Sequence, residues 1–234
     1  MTKVETVPEQ NISRDLLSSS HEDYLKAIYI LDARGQNVNN SALARHLDVS
    51  PASATNMVKK LADLNLVTHT PYQSIALTPA GEQVALEVLR HHRLLELYLH
   101  QELNIPWDKV HAEAEKLEHV ISELLEDAIA AALGHPSVDP HGDPIPTKDG
   151  RVEQIEGVLL HEAQLGERYK LVRVLLQDQD RLSYLGTLGL YPEVMVTVLE
   201  RAPFQGPLLI DVDGKHHALA HDMAASLQVA ALEC

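Results

Sequence analysis

At 234 residues, with 45% hydrophobic and only 4% aromatic content, the chain can bury aliphatic cores in one large domain or two to three small ones. Its net charge of −15 argues against a polycationic nucleic-acid binder, but the acid is uneven: residues 1–80 carry 7 Lys/Arg against 8 Asp/Glu, and residues 81–234 carry 12 against 26. The lack of an apolar run of about 18 residues or a signal-like N-terminus argues against a membrane or secreted protein and for a cytoplasmic one, and the single cysteine, Cys234, leaves metal chemistry to His and carboxylates.

From His21 to Leu31 apolar residues recur at Tyr24, Leu25, Ile28 and Leu31, a helical period with Ser20 as N-cap and Gly35 as stop. VNNSALARHLD and VSPASATNMVKKLADLN then form two helical segments around a short turn, with Ser50 capping the second and Pro51 at its first position. Two β-rich runs follow, Leu66–Thr70 and Ser74–Thr78, joined by Pro71-Tyr72-Gln73. The order is that of a winged helix-turn-helix. A long helix is expected over Ala80–Leu103 and another over Asp108–Leu133, separated by Pro106-Trp107. Gly134–Gly150, rich in Pro and Gly, reads as a linker. Beyond it Arg168–Gln177, Glu193–Glu200 and Pro207–Val212 read as strands of a small β-barrel.

In a helix-turn-helix the second helix enters the major groove with its N-terminal residues at the base edges. Here it presents Ser50, Pro51, Ala52, Ser53, Thr55, Asn56, Lys59 and Lys60. Asn56 suits bidentate adenine recognition, Ala52 and Ser53 permit close approach, and Lys59 and Lys60 suit phosphates. Thr68, His69, Thr70 and Tyr72 of the wing are placed to reach the DNA backbone.

The most informative pattern is His92-x3-Glu96 followed by His111-x3-Glu115-x2-Glu118-His119. At 100° per residue each set falls on one helix face, so six ligand-type side chains converge between two antiparallel helices. Bare carboxylates there would repel, and a divalent cation is the natural compensation. His91, His100, His216, His217 and His221 lack such company and are expected to be solvated or to cap helices.

EDYLKAIYIL, the Pro-initiated recognition helix, LTPAG, RHHRLLE, VHAEAEKLEHV and DPHGDPIP together resemble the diphtheria toxin repressor and manganese transport regulator family over nearly the whole chain. The resemblance implies a mainly α protein in three parts: a winged helix-turn-helix (1–80), a helical metal-binding and dimerisation domain (81–140) and, after a linker (141–152), an SH3-like C-terminal β-barrel (153–234). It assigns Asp23, Glu115, Glu118 and His119 to a primary, activating site, and His92, Glu96 and His111 to an ancillary one. Gln177 and Asp180 are the best candidates for the two further ligands that barrel-containing members supply. Iron-type members carry Met and Cys where this chain has Asp23 and Glu115, and the harder oxygen set favours Mn(II), with Fe(II) or another divalent transition metal next. Short manganese regulators carry a Glu three residues after the Asp. This chain has Lys26 there, which favours two separate sites over a two-ion cluster.

The implied function is that of a non-enzymatic, Mn(II)-dependent repressor of metal-uptake genes. It binds double-stranded operator DNA as a metal-loaded homodimer, without membrane partner or small-molecule substrate. The residues alone leave two other readings open: a binuclear metallohydrolase, since such clusters also activate water, and a winged-helix regulator answering an organic ligand.

Overall fold

The computed structural model describes residues 17–68 and 74–232, so His69, Thr70, Tyr72 and Cys234 lie outside the described residues. Contacts divide the chain into two compact units, Met1–Leu89 and Arg90–Cys234, a division that falls inside one helix.

In the first unit α1 (Ser19–Ala33) starts at Ser18, which forms a capping box with His21. Next, α2 (Asn40–His46) is capped by the Asn39 side chain, and α3 (Pro51–Asp63) by Ser50, whose hydroxyl accepts from the Ser53 amide at 3.1 Å. β1 (Val67–Thr68) pairs antiparallel with β2 (Ala76–Leu77), the base of the wing. Leu25, Ile28, Leu43, Ala54, Val58 and Leu61 close a single core. The LTPAG motif has a steric explanation. A Cβ on Gly81 would stand 1.9 Å from the Leu66 carbonyl oxygen, so only glycine lets α4 (Pro79–Gln101) start against the strand base.

In the second unit the helix expected over Asp108–Leu133 is two helices, α5 (Val110–Leu117) and α6 (Glu123–Ala132). Ser122 makes the break: its side chain accepts from the Leu125 amide and restarts the helix. The segment expected as a linker is packed, with Asp139, His141 and Ile145 buried. Its His141 carbonyl accepts from the Val174 amide at 2.8 Å, and a Cβ on Gly142 would meet the Val172 carbonyl oxygen at 2.0 Å.

The C-terminal part is a six-stranded antiparallel sheet in the order β3-β8-β4-β5-β6-β7. The strands are β3 (Val158–Leu159), β4 (Arg168–Val174), β5 (Met195–Arg201), β6 (Leu208–Val212), β7 (Lys215–Leu219) and β8 (Leu227–Ala231). A 3₁₀ turn (Leu160–Glu162), α7 (Gln179–Thr187) and α8 (His221–Ala224) cover it. Two expectations change here. The chain is mixed helix and sheet, not mainly α, and the sheet has two free edges, β3 and β7, so it does not close as a barrel through described strand pairs.

Substituting Gly81 by Ala should destabilise the first unit by about 1–3 kcal/mol, the usual range for overpacking. Thermal unfolding checks this, and an unchanged midpoint would show that the Leu66 carbonyl yields without cost.

Candidate metal centre

The helical period of α4 puts His92 and Glu96 one turn apart on the same face, and α5 brings His111 and Glu115 opposite them. Three donor atoms meet. Glu96 Oε1 is 2.9 Å from His92 Nε2 and 3.0 Å from His111 Nδ1, and the two ring nitrogens are 3.0 Å apart. Neighbouring ligands around an octahedral ion bonded at about 2.1 Å are spaced about 3.0 Å, so this triangle has the dimensions of a coordination face. Glu115 borders it, with Oε1 3.8 Å from His92 Nδ1 and 3.7 Å from His111 Nε2.

His92 faces two ways, because its Nδ1 also lies 2.5 Å from Oε2 of Glu118, the fully buried residue that ends α5. Glu118 Oε1 reaches His119 Nε2 at 3.2 Å. The ligand-type residues expected on α4 and after α5 are therefore together: His92 lies between Glu96 and His111 on one side and Glu118 on the other, and Glu115 falls in with His92 and His111. Asp23 lies half-buried on α1, in the other unit. Gln177 is half-buried and Asp180 exposed in the first turn of α7. Among the described residues Asp180 joins no metal-type group of His, Cys, Asp or Glu, and the cap of α7 is Asp178, which accepts from the Arg181 amide at 2.9 Å.

Sequence reasoning missed a second buried group, Glu96, Asp139 and His141. The second oxygen of Glu96 is 3.6 Å from His141 Nδ1, and His141 Nε2 is 3.0 Å from the Trp107 carbonyl. The Asp139 carboxylate accepts from the amides of His141 and Asp143. DPHGDPIP held the signal: two carboxylates and an imidazole in a run with no helical or strand period to place them.

Electrostatics follow from burial. Burial works to raise the Glu96 carboxyl, but the charge on His92 and hydrogen bonds from His111, His141 and His92 outweigh it and hold it well below the usual range. Burial, with the charges of Asp143 and Glu96, pushes Asp139 well above its usual range. Burial opposes the His141 cation, yet Glu96 and Asp139 raise it to about 9. His91, expected to be solvated or to cap a helix, is fully buried, with one ring nitrogen 3.2 Å from the carbonyl of Glu118, the C-cap of α5, and the other 3.1 Å from Glu126 Oε2. His100, in the last turn of α4, is half-buried with Nδ1 3.0 Å from the carbonyl of Ile105 in the loop that follows.

The donor set of imidazole nitrogens and carboxylate oxygens fits a borderline or hard divalent ion such as Mn(II) or Fe(II). The expected DNA face is also disposed as the period requires. Ser50, Pro51, Ala52, Ser53, Asn56, Lys59 and Lys60 are exposed, while Ala54, Val58 and Leu61 are buried. Thr55 departs from this: it is half-buried and its hydroxyl donates to the Pro51 carbonyl at 2.9 Å.

Comparison with known proteins agrees along the chain. Residues 16–75 match the profile "Iron dependent repressor, N-terminal DNA binding domain", 78–147 match "Iron dependent repressor, metal binding and dimerisation domain", and 158–231 match "FeoA domain". The iron-dependent repressor IdeR of Mycobacterium tuberculosis is 32% identical over 228 residues, 91% of this chain and 97% of that one. The diphtheria toxin repressor of Corynebacterium glutamicum is 29% identical, with 94% and 99% covered. Among solved structures, a manganese-dependent transcriptional repressor in complex with manganese superposes with a TM-score of 0.84 at 36% identity, covering 91% of this chain and all of the other. The manganese regulator SloR gives 0.76 at 31%, covering 91% and 98%.

Glu126 carries an acid-stability signature. Burial works to raise it, but hydrogen bonds from His91 and Arg90 and the Arg90 charge prevail and lower it from 4.5 to about 2. A lowered carboxyl stabilises the fold above about pH 4.5 and loses that contribution as pH falls toward 2. Glu126→Gln should therefore be less stable than the parent at pH 7 and should lose this disadvantage toward pH 2, as followed by denaturant unfolding of metal-free protein. A pH-independent difference would contradict the assignment.

Proposed function

The chain belongs to the iron-dependent repressor family, and on that premise we propose that it is a metal-responsive transcriptional repressor that takes Mn(II) first and Fe(II) second. The observation that carries this reading is the triangle of Glu96 Oε1, His92 Nε2 and His111 Nδ1. Its set of nitrogens and oxygens, without thiolate, underlies the preference for manganese.

A bound ion would supply positive charge that several buried carboxylates share. The chain's own groups do the rest. Glu96 and His111 hold one side of the site, and His92 passes the constraint to Glu118 at the end of α5. Glu115 and His119 border it, and Asp139 and His141 extend the donor set beyond Glu96. The family resemblance adds Asp23, from the DNA-binding unit, to the set containing Glu115, Glu118 and His119, and offers Gln177 and Asp180 as further ligands. Ligation by Asp23 makes metal occupancy and the placement of the recognition helix one equilibrium, so metal and DNA each tighten binding of the other.

In the helix, Asn56, Ala52 and Ser53 are the base-reading candidates, Ser50, Pro51 and Thr55 set the helix start, and Lys59 and Lys60 grip phosphate. The DNA is a double-stranded operator in the cytoplasm, upstream of metal-uptake genes. The active form is a homodimer. Leu117, Val120, Leu124 and Leu125 are exposed on the stretch that carries α5 and α6, at 39, 76, 81 and 50%, within the segment matching the metal-binding and dimerisation profile. So large an apolar display is the usual mark of an interface. We read the C-terminal sheet as an opened relative of an SH3-like barrel, in support of which β8 returns beside β4.

Anisotropy of labelled fragments from upstream of metal-uptake genes should show at least roughly tenfold tighter binding with Mn(II) than with EDTA. The gain should vanish in Glu96→Ala and shrink from pH 8 to 5.5 as ligand imidazoles take up protons. Equal affinity with and without metal would sink the sensor reading. For the dimer, Leu124→Lys should shift sedimentation toward monomer, and an unaltered dimer would move the interface off α6.

A further inference from the structure

We propose that His91 is a positioning residue for the metal centre, holding Glu118 from behind by its main chain while its neighbour His92 holds the same residue by its side chain. The inference rests on the metal-site reading above and concerns a residue with no place in the ligand set. His91 is fully buried. Its Nδ1 lies 3.2 Å from the Glu118 carbonyl oxygen and its Nε2 lies 3.1 Å from Glu126 Oε2. The other Glu126 oxygen accepts from Arg90 Nε at 2.5 Å, and Arg90 donates to the Pro146 carbonyl at 2.8 Å.

Glu118 is the C-cap of α5, so its carbonyl is among those that a helix end leaves without an intrahelical partner. Such a group needs a donor once water is excluded, and any buried donor would satisfy it. The ring does more than that because of where it is anchored. Its second nitrogen is fixed to a carboxylate on α6 that is itself fixed to Arg90, so the carbonyl is held by a chain of buried, charge-assisted bonds. Glu118's backbone orientation is then set by His91 at 3.2 Å, and its carboxylate by His92 at 2.5 Å. Two consecutive imidazoles of α4 grip one residue at two points. A ligand carboxylate clamped in this way cannot swing off without dragging the turn between α5 and α6. Partners that orient ligands in this manner are worth about 10–100-fold in metal affinity.

The test compares wild type, His91→Leu and His91→Gln as full-length protein. Mn(II) affinity is measured by competition with a fluorescent chelator, the visible spectrum is recorded after Co(II) loading, and the unfolding midpoint is taken without metal. His91→Leu should bind Mn(II) at least roughly tenfold more weakly and change the position or intensity of the Co(II) bands. His91→Gln, whose amide still donates, should recover much of both. Affinity and spectrum unchanged in His91→Leu, or a loss of affinity that follows the unfolding midpoint alone with an unaltered spectrum, overturns the proposal. Should His91→Leu not fold, Glu126→Gln weakens the anchor instead and must move the spectrum in the same direction; an unmoved spectrum overturns the proposal equally. Failure of the wild type itself to bind Mn(II) or Co(II) would strike at the metal reading and not at His91.

Discussion

The helical part of the second unit is arranged around carboxylates that have been taken out of water. Glu96 and Glu118 are 2 and 0% exposed, and an ionised carboxylate in such a place is costly unless paired and hydrogen-bonded. One imidazole serves both, His92, with Nε2 on Glu96 and Nδ1 on Glu118. His111 and His141 add their rings on either oxygen of Glu96. A divalent ion held among these groups would share in that compensation and displace the protons its ligands carry.

The surrounding structure keeps that arrangement from collapsing. Arg90 and Arg93 flank the two imidazoles on α4 and are drawn off to Glu126 and to Asp139 and Asp143, so they do not neutralise Glu96 directly. The segment around His141 and Gly142 lies against β4, where Arg173 meets Asp143 and the Val174 amide meets the His141 carbonyl. The C-terminal sheet therefore supports one wall of the donor set. Loss of the Gly142 approach would disturb that wall as well as β4.

Most of this was legible where the residues obey a period. Ser50 and Pro51 announce α3, and the spacing of His92, Glu96, His111 and Glu115 states which side chains share a face, because helix geometry converts sequence separation into angle. Irregular backbone has no such conversion, so Asp139 and His141 passed as linker residues although they are among the most buried polar groups. The break between α5 and α6 was hidden because Ser122 sits in an otherwise continuous apolar pattern and only its cap bond reveals it. The partners of His91 were hidden for a different reason: Glu118 and Glu126 lie 27 and 35 residues away, beyond the reach of any local period. The free edges of the sheet depend on β3 and β7, and strand signals do not state how the first and last strands meet.

The central claim is that one divalent ion occupies the triangle formed by α4 and α5. A crystal structure of the manganese-loaded protein, with anomalous data collected at wavelengths on either side of the manganese edge, tests it directly. The account requires a manganese peak bonded at about 2.2 Å to Glu96 Oε1, His92 Nε2 and His111 Nδ1. A fully loaded protein whose anomalous peaks all lie away from these three atoms would contradict it.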